Sequence, residues 1–222
     1  MTTPRGPIAL LGSGEFEPWT SDLDRMLLEH ASSGTGAVAI VPTASALEGR
    51  RFDDWARQGL EHYARLGVPA RVVDLRGRDD ADRLDLIEQL EETSLIFFSG
   101  GNPAFLARTL AGTAFWDAVV ERVAEGAAFA GCSAGACIAG AFAPESMTDA
   151  VWEERWLPGL ELVPDVWVLP HFDALDRYRS DLRSYFLSRV PDAGWALGVD
   201  ERTAAVRVGG AWSVHGEGGA FL

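Results

Sequence analysis

Residues 129–140 read FAGCSAGACIAG, and Gly131-Cys132-Ser133-Ala134-Gly135 sets a serine between two glycines. Two readings compete. In one, Ser133 is a nucleophile on a sharp strand-to-helix turn, its side chain exposed at a sheet edge. In the other, small residues only let a helix pack closely on the sheet. The surroundings favour the nucleophile. AAFAG supplies a strand and AGACIAGA a helix of small residues, whose free N–H groups can stabilise an oxyanion. Cys132 is the rival nucleophile, but it stands one place early. There its side chain points into the protein as a small hydrophobe.

A serine nucleophile needs a base and a group that orients the base. His171 follows the apolar stretch in VWVLPHFD and so stands at the carboxyl end of a strand. His30 ends an amphipathic helix and His62 lies inside one, which suits solvated positions. His215 lies in a C-terminal hairpin. Position favours His171, against the plainer role of a hydrogen-bonded structural histidine. The acid stays open. Asp200 and Glu201 lie just past WALGV at a strand end, and Asp173 and Asp149 are alternatives.

The elements that must position these groups alternate in type. Apolar runs at 7–14, 36–45, 70–75, 94–101 and 126–133 read as strands. Helices are expected from Thr20 or Ser21 to His30, over 47–66 ending at Gly67, and over 80–92. Another should start at Asn102-Pro103, where Asn caps and Pro takes the first helical position. Continuous rather than alternating apolar strands, separated by helices, predict a parallel sheet covered on both faces. That is an α/β, doubly wound domain spanning 1–222, with ligands at the carboxyl ends of strands. Residues 142–164 break the rhythm with three prolines and two tryptophans, and long excursions of this kind are often functional. Their bland reading is that Trp152 and Trp156 cover a core edge. A strand at 165–172 and a helix over 174–189 follow. Gly209-Gly210 between alternating runs predicts a β-hairpin.

Bulk composition bounds the function. Of 222 residues, 47% are apolar and 23% charged, ordinary for a folded domain. The net charge of −14 disfavours nucleic acid as a partner. No apolar run reaches membrane-spanning length and the first residues do not read as a signal peptide, so a cytoplasmic protein without a membrane partner is expected. Cys132 and Cys137 form no Cys-x-x-Cys pair and the histidines no His-x-x-x-His, so neither a metal site nor a cofactor is expected.

Four stretches in order resemble one family, the serine peptidases related to cyanophycinase and aspartyl dipeptidase. They are FFSGGNPAFL, GCSAGA, LPHFDALDRYRSDLRSYF and LGVDERTAAVRVGGAWSVHGEG, supported by LLGSGEF and IVPTAS. The resemblance covers almost the whole chain. It implies a flavodoxin-like three-layer sandwich, related to class I glutamine amidotransferase domains. It also implies Ser133 as nucleophile, His171 as base, Glu201 as orienting acid, and an oxyanion hole from the N–H groups of Gly101 and Ala134. The aspartyl dipeptidase branch instead places an aspartate nearer the nucleophile, where Asp149 stands. A small peptide substrate and a homodimer are further implications. Two departures stand out. Leu169 replaces an acidic residue two places before the histidine. The arginines after His-Phe fall at 177, 179 and 183, with Leu175 at the first expected place. Both argue against cleavage of an aspartyl–arginine polymer. Arg177, Arg179 and Arg183 still suit a substrate carboxylate, or are solvated helix charges, and Asn102 is a further candidate contact. Competing classes are an α/β-hydrolase esterase using Ser133, Asp200 and His215, and a non-catalytic binding protein on an amidotransferase-like fold. An amidotransferase proper would need cysteine at 133.

Overall fold

Each central strand serves two cores. The computed structural model describes residues 5–145, 156–178 and 180–222. Strands β1 (Ile8–Leu11), β2 (Ala37–Val41), β3 (Ala70–Val72), β4 (Thr93–Phe98) and β5 (Ala128–Cys132) run parallel in the order β1-β5-β4-β2-β3. Every residue of β1, β2, β4 and β5 is buried. Alternate side chains go to opposite faces, as the pleat requires. Ile8, Leu10, Ile96, Phe98 and Phe129 join one cluster; Ala9, Leu11, Leu95 and Phe97 join the other.

Helices cover both faces, which is why the strands read as unbroken apolar runs. Helices α1 (Thr20–His30) and α2 (Arg51–Leu66) pack Leu23, Leu27 and Tyr63 onto one face. Helices α3 (Leu84–Ile87), α4 (Pro103–Leu110), α5 (Ala114–Glu125) and α6 (Ala134–Ala139) pack on the other. The expected three-layer α/β sandwich is therefore present. Asn102 caps α4 as predicted, accepting from the Phe105 N–H at 2.9 Å.

Beyond α6 the chain leaves this sheet. Strands β6 (Phe142–Pro144) and β7 (Trp156–Pro158) form an antiparallel pair. Between them lie 146–155, so Asp149 and Trp152 fall outside the described residues. Trp156 packs on Phe142 and Trp167, each with ring centroids 5.5 Å away, matching its expected role as a core cover. Strand β8 (Val166–Leu169) pairs in parallel with β9 (Trp195–Val199), which carries β12 (Ala220–Phe221) on its other side. Strands β10 (Thr203–Val208) and β11 (Ala211–Gly216) form the predicted hairpin through Gly209-Gly210, and β10 adds antiparallel to β1.

Four local expectations fail. Residues 80–92 form no single helix: α3 is one turn between the 3-10 turns Arg78–Asp80 and Glu88–Leu90. The aspartates bond backbone instead, since Asp80 accepts from the Arg76 and Gly77 N–H groups and Asp82 from that of Ala114. The helix over 174–189 is split into α7 (Leu175–Tyr178) and α8 (Leu182–Leu187), with Asp181 at φ 65° between them. Asp176 drives the break by accepting from the Arg183 N–H at 3.0 Å. Neither Thr20 nor Ser21 caps α1. Trp19 holds the cap position and the Thr20 hydroxyl donates to the Glu17 carbonyl. His62 is buried rather than solvated, its Nε2 lying 2.7 Å from Asp24 Oδ2.

Candidate active site

Ser133 sits between β5 and α6 with φ 49° and ψ −105°, a conformation that L-residues rarely adopt. The flanking glycines make the turn possible. A Cβ on Gly131 would stand 2.4 Å from the Gly135 carbonyl oxygen, and one on Gly135 would stand 2.5 Å from that of Phe98. Close packing and an exposed serine are thus one geometry, and the two readings of this motif do not exclude each other.

The Ser133 hydroxyl donates to His171 Nε2 at 3.0 Å. His171 follows β8, and its Nδ1 lies 3.1 Å from Glu201 Oε1. A carboxylate can only accept, so the His171 proton resides on Nδ1 and Nε2 is left to receive from serine. Glu201 follows β9, the parallel partner of β8, which brings histidine and glutamate to the same end of the small sheet. Both residues are partly screened from water, with side-chain exposures of 19% and 35%. His171 and Arg202, the residue after Glu201, also stand at positive φ, 53° and 51°.

The other acid candidates have different partners. Asp173 Oδ1 accepts from the Glu201 N–H at 2.8 Å and so holds that residue's backbone. Asp200 Oδ2 accepts from the Gly219 N–H at 2.8 Å. His215, needed for the esterase reading, lies on β11 with Nε2 against the Ser213 hydroxyl at 2.9 Å.

Two cavities, about 350 and 320 Å3, share Ser133, His171, Gly101 and Glu48. The first is also lined by Glu15, Glu17, Arg51 and Trp55. The second is lined by Asn102, Cys137, Pro144 and Tyr178. Of the expected arginines, Arg177 and Arg183 line neither cavity. Arg177 faces Asp173 at 3.5 Å, Arg183 is held by Asp176 at 2.9 Å, and Arg179 is outside the described residues.

The family model for peptidase family S51 matches residues 8–214. The chain belongs to peptidase family S51. The cyanophycinase of Geminocystis herdmanii is 31% identical over 189 residues, covering 80% of this chain and 65% of that protein, just under two thirds of its length. The cyanophycinase of a Nostoc species is 26% identical over all of this chain and 76% of its own. The crystal structure of a peptidase from an acI-B1 Actinobacterium superimposes with a TM-score of 0.89, at 30% identity, covering 99% of this chain and 91% of that one.

On this S51 scaffold, sequence reasoning passed over Glu15, Ser45, Arg51 and Tyr178. Glu15 and Ser45 lie in the quoted stretches LLGSGEF and IVPTAS, which support the resemblance as strand segments but single out neither side chain. Tyr178 is next to the arginines that drew attention instead.

Cys132 is not placed to react. Its side chain is buried and its thiol donates to Glu15 Oε2 at 2.9 Å. Burial, then the Glu15 charge, pushes the thiol well above its ordinary range. Burial also pushes Cys137 up to about 12. Native protein should therefore resist iodoacetamide at mildly alkaline pH while denatured protein is alkylated at both cysteines. Mass spectrometry of the two samples checks this, and rapid native modification at Cys132 would refute it.

Among the described residues no helix is long and apolar enough to cross a membrane.

Proposed function

We propose that this chain is a serine peptidase that hydrolyses a peptide or isopeptide bond of a small, acidic, aspartyl-type substrate. The observation that carries the reading is the unbroken relay Ser133 Oγ–His171 Nε2 and His171 Nδ1–Glu201 Oε1, at 3.0 and 3.1 Å. Ser133 attacks the carbonyl carbon while His171 takes its proton. The negative oxygen is received by the N–H groups of Gly101 and Ala134. His171 then protonates the leaving amine, and Glu201 stabilises the imidazolium that forms between the two transfers. Water, deprotonated by the same histidine, releases the acyl group from Ser133.

The first cavity supports a small zwitterionic substrate. Arg51 offers a cation to a substrate carboxylate, while Glu17 and Glu48 suit a free amine. In this reading carboxylate recognition moves from the arginines after His171 to Arg51. Tyr178 supplies a neutral donor in the second cavity. Burial first, and then the Glu201 charge, raises its phenol above the usual value, so the hydroxyl stays protonated across the working range of a histidine base. Tyr178→Phe should lower kcat/KM about two- to tenfold, the value of one hydrogen bond. Steady-state kinetics decides it, and an unchanged value would remove Tyr178 from the site.

The test is a hydrolysis panel, wild type against Ser133→Ala. It holds α-aspartyl dipeptides, a β-aspartyl-arginine dipeptide, neutral dipeptides and a p-nitrophenyl ester. Cleavage of the acidic members that vanishes in the variant supports the reading, and the preferred linkage separates α- from β-aspartyl specificity. Ester cleavage alone, lost in His215→Ala and kept in His171→Ala, would replace it with the esterase.

A further inference from the structure

Two stretches with no role in the relay, Gly12–Phe16 and Pro42–Ser45, converge on three consecutive peptide units, from Ser99–Gly100 to Gly101–Asn102. The middle unit joins Gly100 to Gly101, and its N–H is the Gly101 donor assigned above to the oxyanion. Ser45 is fully buried, and its hydroxyl donates to the Gly100 carbonyl at 2.8 Å. Glu15 is 5% exposed, and its Oε1 accepts from the Gly100 N–H at 2.8 Å. Its other oxygen takes the Cys132 thiol, in the residue before Ser133. On the far side, the Asn102 N–H donates to the Ala44 carbonyl at 2.8 Å.

The Gly100 N–H, the Gly100 carbonyl and the Asn102 N–H are thus engaged, whereas the Gly101 N–H has no hydrogen-bond partner among the described residues. Gly101 has φ 147°, and a Cβ there would stand 2.4 Å from the Ala44 carbonyl carbon. The backbone is therefore held where only glycine fits, beside the Ser133 turn: a Cβ on Gly100 would stand 3.4 Å from that of Ser133.

A hydrogen bond to an amide oxygen draws electron density away from its own N–H, which makes that N–H a stronger donor. An oxyanion donor works best when its direction is set before charge develops. We infer that Ser45 is a positioning residue for the hydrolytic step, orienting and polarising the Gly101 N–H through the Gly100 carbonyl. Glu15 fixes the other end of the same segment and ties it to the serine turn. The inference rests on the peptidase reading, and it names Ser45 and Glu15 as what maintains the oxyanion donor in that site.

The experiment uses the full chain with Ser45→Ala. Removing a whole oxyanion donor costs about 10²–10³ in kcat, so loosening one of two should cost about tenfold. KM and the pH profile should stay as in wild type. Affinity for a peptide boronate, which mimics the tetrahedral adduct on Ser133, should fall by the same factor as kcat. In a 1H–15N spectrum the Gly101 amide proton should move upfield, and Ser45→Thr, which keeps the hydroxyl, should restore both readouts. Wild-type kcat and boronate affinity in Ser45→Ala would overturn the inference. So would an unmoved Gly101 amide in a variant whose kcat, KM and melting temperature all shift together, the mark of a structural role. Failure of the peptidase reading would show differently, as hydrolysis that survives Ser133→Ala.

Discussion

Ser133→Ala is expected to lower kcat by about 10⁶-fold, the scale of loss when the serine of such a relay is removed. What remains is catalysis by binding and by the oxyanion donors alone. The substitution deletes only the oxygen bonded to His171 Nε2. It keeps the Cβ and the backbone geometry, so the melting temperature should hardly change. His171→Ala should be nearly as damaging, and Ser133→Ala combined with His171→Ala should be no worse than either alone, because the pair acts as one unit. Multiplicative losses in the double variant would mean that the two side chains act separately. Rates measured at enzyme concentrations high enough to see residual turnover check all three.

The largest effect on stability should come from Phe129→Ala. Phe129 is fully buried on β5, in the middle of the parallel sheet. It stacks on Phe98 with centroids 5.5 Å apart and meets the edge of Trp116 at 6.4 Å. Truncation leaves a cavity that two sheet neighbours and α5 cannot easily fill. The cost should be about 3–5 kcal/mol, a large share of a total near 5–15 kcal/mol. Urea unfolding should show a lower midpoint with an unchanged slope. A loss under about 1 kcal/mol would mean that this part of the core relaxes freely.

The candidate site was legible where its signal was local. Gly131-Cys132-Ser133-Ala134-Gly135 encodes its own turn, because the glycines are needed within five residues of the serine. His171 and Glu201 were legible as strand ends. That they meet depends on the pairing of β8 with β9, which residue patterns do not specify. The clamp on Gly100 was not legible at all. Its bonds join residues 55 and 85 positions apart, and nothing in the local pattern around Glu15 or Ser45 announces a partner. The failed helices have a nearer cause. Aspartates at 80, 82 and 176 had a backbone N–H within reach, and that bond outweighed helical periodicity. His62 was misread because its helix is amphipathic, yet Asp24 on α1 supplies the partner that lets an imidazole lie in the core.

The left-handed backbone at Ser133 also bears on stability. A serine held at φ 49° costs on the order of 1–3 kcal/mol that a glycine would not. His171 also stands at positive φ, 53°. The fold thus gives up stability at this turn to present a hydroxyl, and a Ser133→Gly chain would be firmer there while lacking the oxygen that faces His171.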